Sequence, residues 1–235
     1  MNPGIKYALN NGADYIFLLN NDVIVSQPDF LKKLINFMES NEKVGITGPK
    51  LLFLDGSYQK SYNYFFLAMA LELYWPAKFT KILKKLHLIQ PKDNMVHKVA
   101  WLNAVALLFK KQVFEDIGLM DERFFLGAED IDLSLRAKRK GWETFYCPFS
   151  ELIHISFISH EKPLVAYDKF YIESTIRFLY KSYMKPLAYL LQFLMAGGFF
   201  IRGIEWSIKS IFDKSNITVA KEFFKLTSLI FKVKV

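Results

Sequence analysis

Aspartate, glutamate and histidine occur at three places where their neighbours would let them do chemistry. Asn20-Asn21-Asp22 ends an apolar run of strand length, residues 14–19. Open α/β sheets place their ligand crevice at the carboxyl ends of strands. A carboxylate there can hold a hard divalent cation that bridges diphosphate oxygens, although Asn and Asp are also ordinary turn residues after any strand. Glu129, Asp130 and Asp132 crowd the start of an expected helix running to Lys140. Clustered carboxyls raise one another's pKa, so an acid set in a cleft could take the proton of an attacking hydroxyl. On chemistry alone either Glu129 or Asp130 serves. The same charges complement the helix dipole, with Arg136, Lys138, Arg139 and Lys140 at its other end, and Asp132 and Arg136 can pair on the helix surface. His154 ends an expected strand over residues 146–154, and neutral imidazole is a good ligand for Mn²⁺-like metals. His87, His97 and His160 have no motif around them.

These residues need elements to hold them. Residues 5–12 read as the end of a helix stopped by Gly12. The run 14–19 has no polar alternation, as in a central strand of a parallel sheet covered on both faces. Ser26 to Asp29 resemble a capping box with an early Pro28, leading into Phe30, Leu31, Leu34, Ile35 and Met38 at helical spacing. Residues 44–53 read as a further strand, Asp55-Gly56 as a turn, and 99–109 as one buried strand. A short helix from Lys110 to Ile117 stops at Gly118. Residues 62–98, with Trp75-Pro76 and a basic patch from Lys78 to Lys85, read as an irregular insertion. The rhythm of strand, polar turn and helix is that of a doubly wound α/β sheet.

Composition narrows the class of protein. The chain has 235 residues, 52% of them hydrophobic and 17% aromatic, which excludes a solvated disordered chain. A single cysteine, Cys147, excludes an intramolecular disulfide, argues against a zinc–thiolate site and suits a reducing compartment. The formal charge of +8 suggests an anionic partner. Lys and Arg are scattered and no nucleic-acid signature accompanies them, so nucleic acid is not the expected partner. The N-terminus lacks the pattern of a secretory signal. Past residue 165 an aromatic helix is expected from Tyr167 to Tyr183, followed by 15 uncharged residues, 187–201. That run is shorter than the roughly 20 that span a bilayer. With Lys181, Lys185, Arg202 and Lys209 around it, it suits a helix lying on an anionic membrane surface.

Four segments in register, residues 2–22, 101–111, 118–136 and 141–154, resemble the inverting glycosyltransferase family two, particularly its rhamnosyltransferase-like members. The resemblance implies an α/β fold of the GT-A type: a Rossmann-like, mostly parallel sheet of a nucleotide-diphospho-sugar transferase. It would occupy residues 1–165, with 166–235 as a helical, membrane-associating tail. Asn20-Asn21-Asp22 falls where that family binds the nucleotide diphosphate and metal, making Asp22 and His154 the implied ligands of Mg²⁺ or Mn²⁺. Asp130 falls on the implied base, with Glu129 contacting the acceptor or orienting the site. The implied partners are a nucleotide-sugar donor, a glycan or lipid-linked acceptor and a membrane surface. The implied place is the cytoplasmic face of the cell membrane, held peripherally. Asn103 and Ala104 stand where the family usually has glycine. The family's first βα units, which grip the base and ribose, have no counterpart before Asn2, so an inactive truncated chain is expected. The alternative is a non-catalytic, membrane-associated binding module of the same origin.

Overall fold

A computed structural model describes residues 1–66, 94–155 and 169–233. The expected Trp75-Pro76 segment, the patch from Lys78 to Lys85, His87, His160 and the expected boundary at 165 lie outside the described residues. The chain divides into two compact units. Of the described residues, the first unit holds 1–66, 94–121 and 129–155, and the second holds 122–128 and 169–233.

The first unit is α/β. In chain order it comprises α1 (Asn2–Asn10), β1 (Tyr15–Leu19), β2 (Val23–Ile24), α2 (Phe30–Glu39), β3 (Val44–Leu52), β4 (Tyr58–Gln59), β5 (Tyr62–Asn63), β6 (His97–Val99), β7 (Trp101–Leu102), β8 (Ala106–Lys110), α3 (Lys111–Ile117), α4 (Glu129–Arg139) and β9 (Glu143–His154). Successive strand side chains point to opposite faces, and here both faces are apolar. Ile16, Leu18, Leu107 and Phe109 join one core with Ile5 of α1, Val113 of α3 and Leu133 of α4. Tyr15, Phe17, Ala106 and Leu108 face a second core with Phe30, Leu34 and Met38 of α2. The unbroken apolar run of β1 therefore reports double-sided cover, as expected.

It does not report strand direction. The main sheet runs β1-β8-β3-β9-β2, with β4 beside β3 and β6 beside β9. Only β3 and β9 pair in parallel; β1 with β8, β3 with β8, β3 with β4, β2 with β9 and β6 with β9 are antiparallel. The sheet is mixed rather than mostly parallel, and β1 ends the strand order instead of lying centrally. A parallel pair needs a long crossover. Helices α3 and α4 supply one between β3 and β9, whereas β3 reaches β4 through the tight turn at Asp55-Gly56, where Gly56 has φ 78°.

Three local expectations change in the structure. The expected strand 99–109 breaks at Ala100 and again at 103–105: Val99 ends β6, which pairs with β9 in the main sheet, while Trp101–Leu102 pair with β5 in a small separate sheet. The ends of the expected irregular stretch 62–98 carry β5 and the start of β6. No capping box forms before α2. Its N-cap is Asp29, which makes no side-chain cap bond and pairs with Lys33 at 3.1 Å, while Ser26 donates to the Glu151 carbonyl at 3.3 Å. A hydrogen bond to β9 thus replaces the local one.

The second unit contains α5 (Lys169–Ser182), α6 (Lys185–Lys209) and α7 (Asn216–Ile230). Gly203 of α6 admits the Phe224 ring of α7, whose nearest atom would lie 2.7 Å from an added Cβ. Phe199 and Phe223 pack at 6.1 Å between centroids. Gln192 is buried with both ends of its amide bonded: Tyr180 donates to its Oε1 at 2.5 Å, and its Nε2 donates to the Ile230 carbonyl at 2.8 Å. Helix α6 runs on through Arg202, which lies 5.8 Å over the Phe223 ring, and Glu205, which pairs with Lys209 at 3.1 Å. At 25 residues it is long and apolar enough to cross a membrane by length and composition, unlike the 15-residue uncharged run alone. One face, with Ala188, Met195 and Phe199, is buried; the other, with Tyr189, Phe193, Phe200, Ile204 and Ile208, is exposed.

Phe109 is fully buried and lies 5.0 Å from Phe114 between ring centroids. Phe109→Ala should therefore destabilise the first unit by about 3–5 kcal/mol, read as a lower urea midpoint at unchanged slope.

Candidate active site

β9 delivers His154 to Asp22. Val23 of β2 is in register with His154, and the Ile155 amide donates to the Asp22 carbonyl at 2.8 Å. The side chains meet, His154 Nε2 lying 3.3 Å from Asp22 Oδ2. On the other side of the ring, Nδ1 is 3.0 Å from Oε1 of Gln59, brought there by the β3–β4 hairpin. With an amide oxygen as its partner, Nδ1 carries a proton. Nε2 then faces a carboxylate oxygen, where a proton or a cation can bridge the two atoms. Asp22 Oδ1 is buried with no hydrogen-bond partner among the described residues. An orphaned carboxylate oxygen beside an oriented imidazole suits a divalent cation that draws its remaining ligands from phosphate and water. No group of three or more His, Cys, Asp or Glu able to hold a metal occurs among the described residues. The pair is therefore suited to a shared site completed by a ligand. Asn20 is held by its amide, which donates to the Val105 carbonyl at 2.9 Å, and Asn21 is exposed.

The second acidic cluster is divided by its surroundings. Glu129 and Asp130 open α4, directly after Gly127 (φ 76°) and Ala128 (φ 69°). A left-handed backbone is ordinary for glycine and costs an alanine of order 1 kcal/mol. Asp130 keeps part of its surface open while its carboxyl sits deep in protein. Oδ1 accepts from the Ile131 amide at 2.8 Å and Oδ2 from the Ala104 amide at 3.2 Å. Burial first, and then the charge of Glu129, outweigh those hydrogen bonds and push the Asp130 pKa up to about 7. That value suits proton transfer near neutrality. Asp132 has a different fate. It is 2% exposed and accepts from Arg136 Nε at 2.8 Å, while the guanidinium donates to the carbonyls of Ile117 and Leu119 at 2.5 and 2.9 Å. The expected surface pair is a buried clamp on the turn after α3.

Two contributors escape the sequence reading. Gln59 carries no motif, and only the β3–β4 pairing brings it to His154. The Ala104 amide reaches Asp130 because the strand breaks there, a break that Asn103 interrupting an apolar run could have signalled. His97 packs in an aromatic cluster, with ring centroids 4.7 Å from Tyr62 and 5.2 Å from Tyr146. Cys147 is buried, which pushes its thiol pKa far up and leaves it unreactive.

An α/β unit with an acid–histidine pair at one strand end and a buried, near-neutral aspartate at a helix start has the parts of a group-transfer enzyme. Residues 2–174 match the family described as Glycosyltransferase like family 2, and the chain belongs to it. Over 147 residues it is 26% identical to the N-acetylglucosaminyl-diphospho-decaprenol L-rhamnosyltransferase of Mycobacterium tuberculosis, covering 60% of this chain and 47% of that one. Over 156 residues it is 27% identical to the dTDP-rhamnosyl transferase RfbF of Shigella flexneri, covering 65% and 46%. The chain thus spans about half the length of the curated relatives it matches. Among solved structures, a mannosyltransferase from Pyrobaculum calidifontis in complex with GDP-Man and Mn²⁺ superposes with a TM-score of 0.49 at 10% identity, over 97% of this chain and 63% of that one. GalNAc-T7 with UDP, GalNAc and Mn²⁺ gives 0.47 at 14%, over 74% and 33%. Both likenesses are too low to bear on the site.

The folded-state pKa of Asp130 lies above its unfolded value of about 3.9. Its contribution to stability is therefore complete below about pH 4 and lost as pH rises through about 7. Asp130→Asn, which cannot ionise, should lose less stability than the parent between pH 4 and 8, by an amount on the order of a few kcal/mol. Urea titrations of both proteins across that range give the measurement, and parallel pH profiles would contradict the buried-carboxylate reading.

Proposed function

We propose that the protein transfers a sugar, with inversion, from a nucleotide-diphosphate sugar to a glycan or lipid-linked acceptor. The observation that carries the chemical assignment is Asp130, buried against Glu129 and held by the Ala104 amide, with its pKa near neutrality. The acceptor hydroxyl attacks the anomeric carbon in line. The new carbon–oxygen bond forms as the bond to the donor phosphate breaks, and the nucleoside diphosphate leaves with the electron pair. The acceptor proton passes to Asp130. Glu129 lies beside Asp130, where it holds the pKa up and can orient the acceptor.

Asp22 and His154 would hold Mg²⁺ or Mn²⁺, which when bound neutralises charge on the diphosphate leaving group. Gln59 fixes the imidazole so that Nε2 faces Asp22. Asn20 and Asn21 complete the turn that presents the carboxylate, and they are assigned to donor binding.

The mycobacterial relative's name specifies a diphospho-decaprenol acceptor, which supports a lipid-linked acceptor here. The exposed face of α6 supports placement at a membrane. Residues 169–233 carry ten Lys or Arg against four Asp or Glu, a balance that favours anionic headgroups. We assign the protein to the cytoplasmic face, held peripherally by this helical region.

Asp22→Ala should abolish Mn²⁺-dependent affinity for nucleoside diphosphate while the circular dichroism spectrum stays unchanged. Calorimetry with and without metal tests it, and undiminished metal-dependent binding would return Asn20-Asn21-Asp22 to a plain turn. Asp130→Asn should lower kcat by about 10²–10⁴ with donor affinity retained, and Glu129→Gln should cost less. The parent's rate should rise with pH to a midpoint near 7, because the base must be deprotonated. A Glu129 variant slower than the Asp130 variant would exchange the two roles.

A further inference from the structure

The second unit contains a cavity of about 880 Å³ that the sugar-transfer chemistry does not use. Its size falls within the roughly 300–1,000 Å³ of small-molecule sites. Tyr180, Tyr189, Leu190, Phe193 and Phe231 make walls that are aromatic and aliphatic, and Lys185 stands among them. No acidic side chain lines the cavity among the described residues. The one amide in its wall, Gln192, already has both ends bonded within the unit, to Tyr180 and to Ile230. What the cavity offers a ligand is therefore mostly apolar surface, the hydroxyls of Tyr180 and Tyr189, and, among the described residues, a single cation.

The cavity is continuous with the open face of α6. Tyr189, Leu190 and Phe193 line it, yet they are 61%, 53% and 67% exposed, and Phe200, Ile204 and Ile208 continue the same face along the helix. A ligand lying on that face meets the cavity at Tyr189, Leu190 and Phe193. An apolar chamber entered from an apolar helix face, with one lysine and no acid, complements a hydrocarbon chain ending in phosphate. Burial of the chain provides most of the affinity, and the ammonium makes a charge-assisted contact with the head.

We propose that this cavity binds the phosphate-proximal part of a polyprenyl phosphate or diphosphate, with Lys185 on the phosphate and Tyr189, Leu190 and Phe193 along the chain. The assignment of that lipid as the carrier of the acceptor sugar rests on the sugar-transfer reading; the binding itself does not. The site is distinct from the Asp22–His154 pair, requires no metal and lies wholly within the helical unit.

Calorimetry on the 235-residue chain in excess EDTA, with farnesyl diphosphate, farnesol and inorganic diphosphate as probes below their aggregation limits, tests the proposal. The chelator removes metal-dependent diphosphate binding at Asp22. Farnesyl diphosphate should bind, farnesol should bind about tenfold more weakly, and inorganic diphosphate should give no comparable affinity. Lys185→Glu, at an exposed position, should lower farnesyl diphosphate affinity by at least about tenfold and leave farnesol unchanged. Leu190→Trp, which narrows the chamber, should weaken both prenyl probes. The proposal is overturned by absent farnesyl diphosphate binding, by equal affinity in the parent and Lys185→Glu, or by inorganic diphosphate binding as tightly as the prenyl form. A chain that binds the prenyl probe as expected but shows no Mn²⁺-dependent affinity for nucleoside diphosphate supports the cavity and counts against the sugar-transfer reading alone.

Discussion

The interruption between β7 and β8 is the constraint on which the site depends. There three successive residues leave strand pairing and each fastens a different element. The Asn103 amide donates to the Ser61 carbonyl at 2.7 Å, the Ala104 amide donates to the Asp130 carboxylate at 3.2 Å, and the Val105 carbonyl accepts from the Asn20 amide at 2.9 Å. The small β5–β7 sheet, the acid at the start of α4 and the turn leading to Asp22 are thus tied to one short piece of backbone. Buried amides and carbonyls need partners. A break in the ladder frees donors and acceptors, and here the two chemically important turns satisfy them.

The α4 start shows how context separates like residues. Asp130 and Asp132 are two positions apart and equally acidic by sequence. Arg136 covers Asp132 with a guanidinium that also binds two carbonyls, making a fully paired structural ion. Asp130 receives two amides but, among the described residues, no cation, and it lies beside another acid. Desolvation without a counter-ion is what moves a carboxyl toward neutrality. One acid therefore holds the turn after α3, and its neighbour keeps a carboxyl whose pKa lies near neutrality.

In the helical unit, α6 has two apolar faces that are treated differently. One is packed against aromatic residues of α7, close enough that Gly203 is required, and the other is left open. A soluble helix exposes its polar side. Here the exposed side carries Tyr, Phe and Ile while lysines and arginines border it, the distribution on which the proposed membrane placement rests.

The amino-acid sequence by itself determined the four helices of the first unit and its strands β1, β3 and β9, the double-sided burial of β1, the stops at Gly12 and Gly118, and the positions of Asp22, Asp130 and His154 at element ends. Each of these follows from local periodicity, turn chemistry or resemblance along the chain. Only the tertiary structure decided that β8 runs antiparallel between β1 and β3, because an apolar strand looks the same in either direction. Only it broke the run 99–109 and aimed the Ala104 amide at Asp130. The same holds for Gln59 behind His154 and for the burial of the Asp132–Arg136 pair, since those partners lie 95 and up to 19 residues away in sequence. Their chemistry arises from strand pairing and burial, which local sequence patterns do not encode.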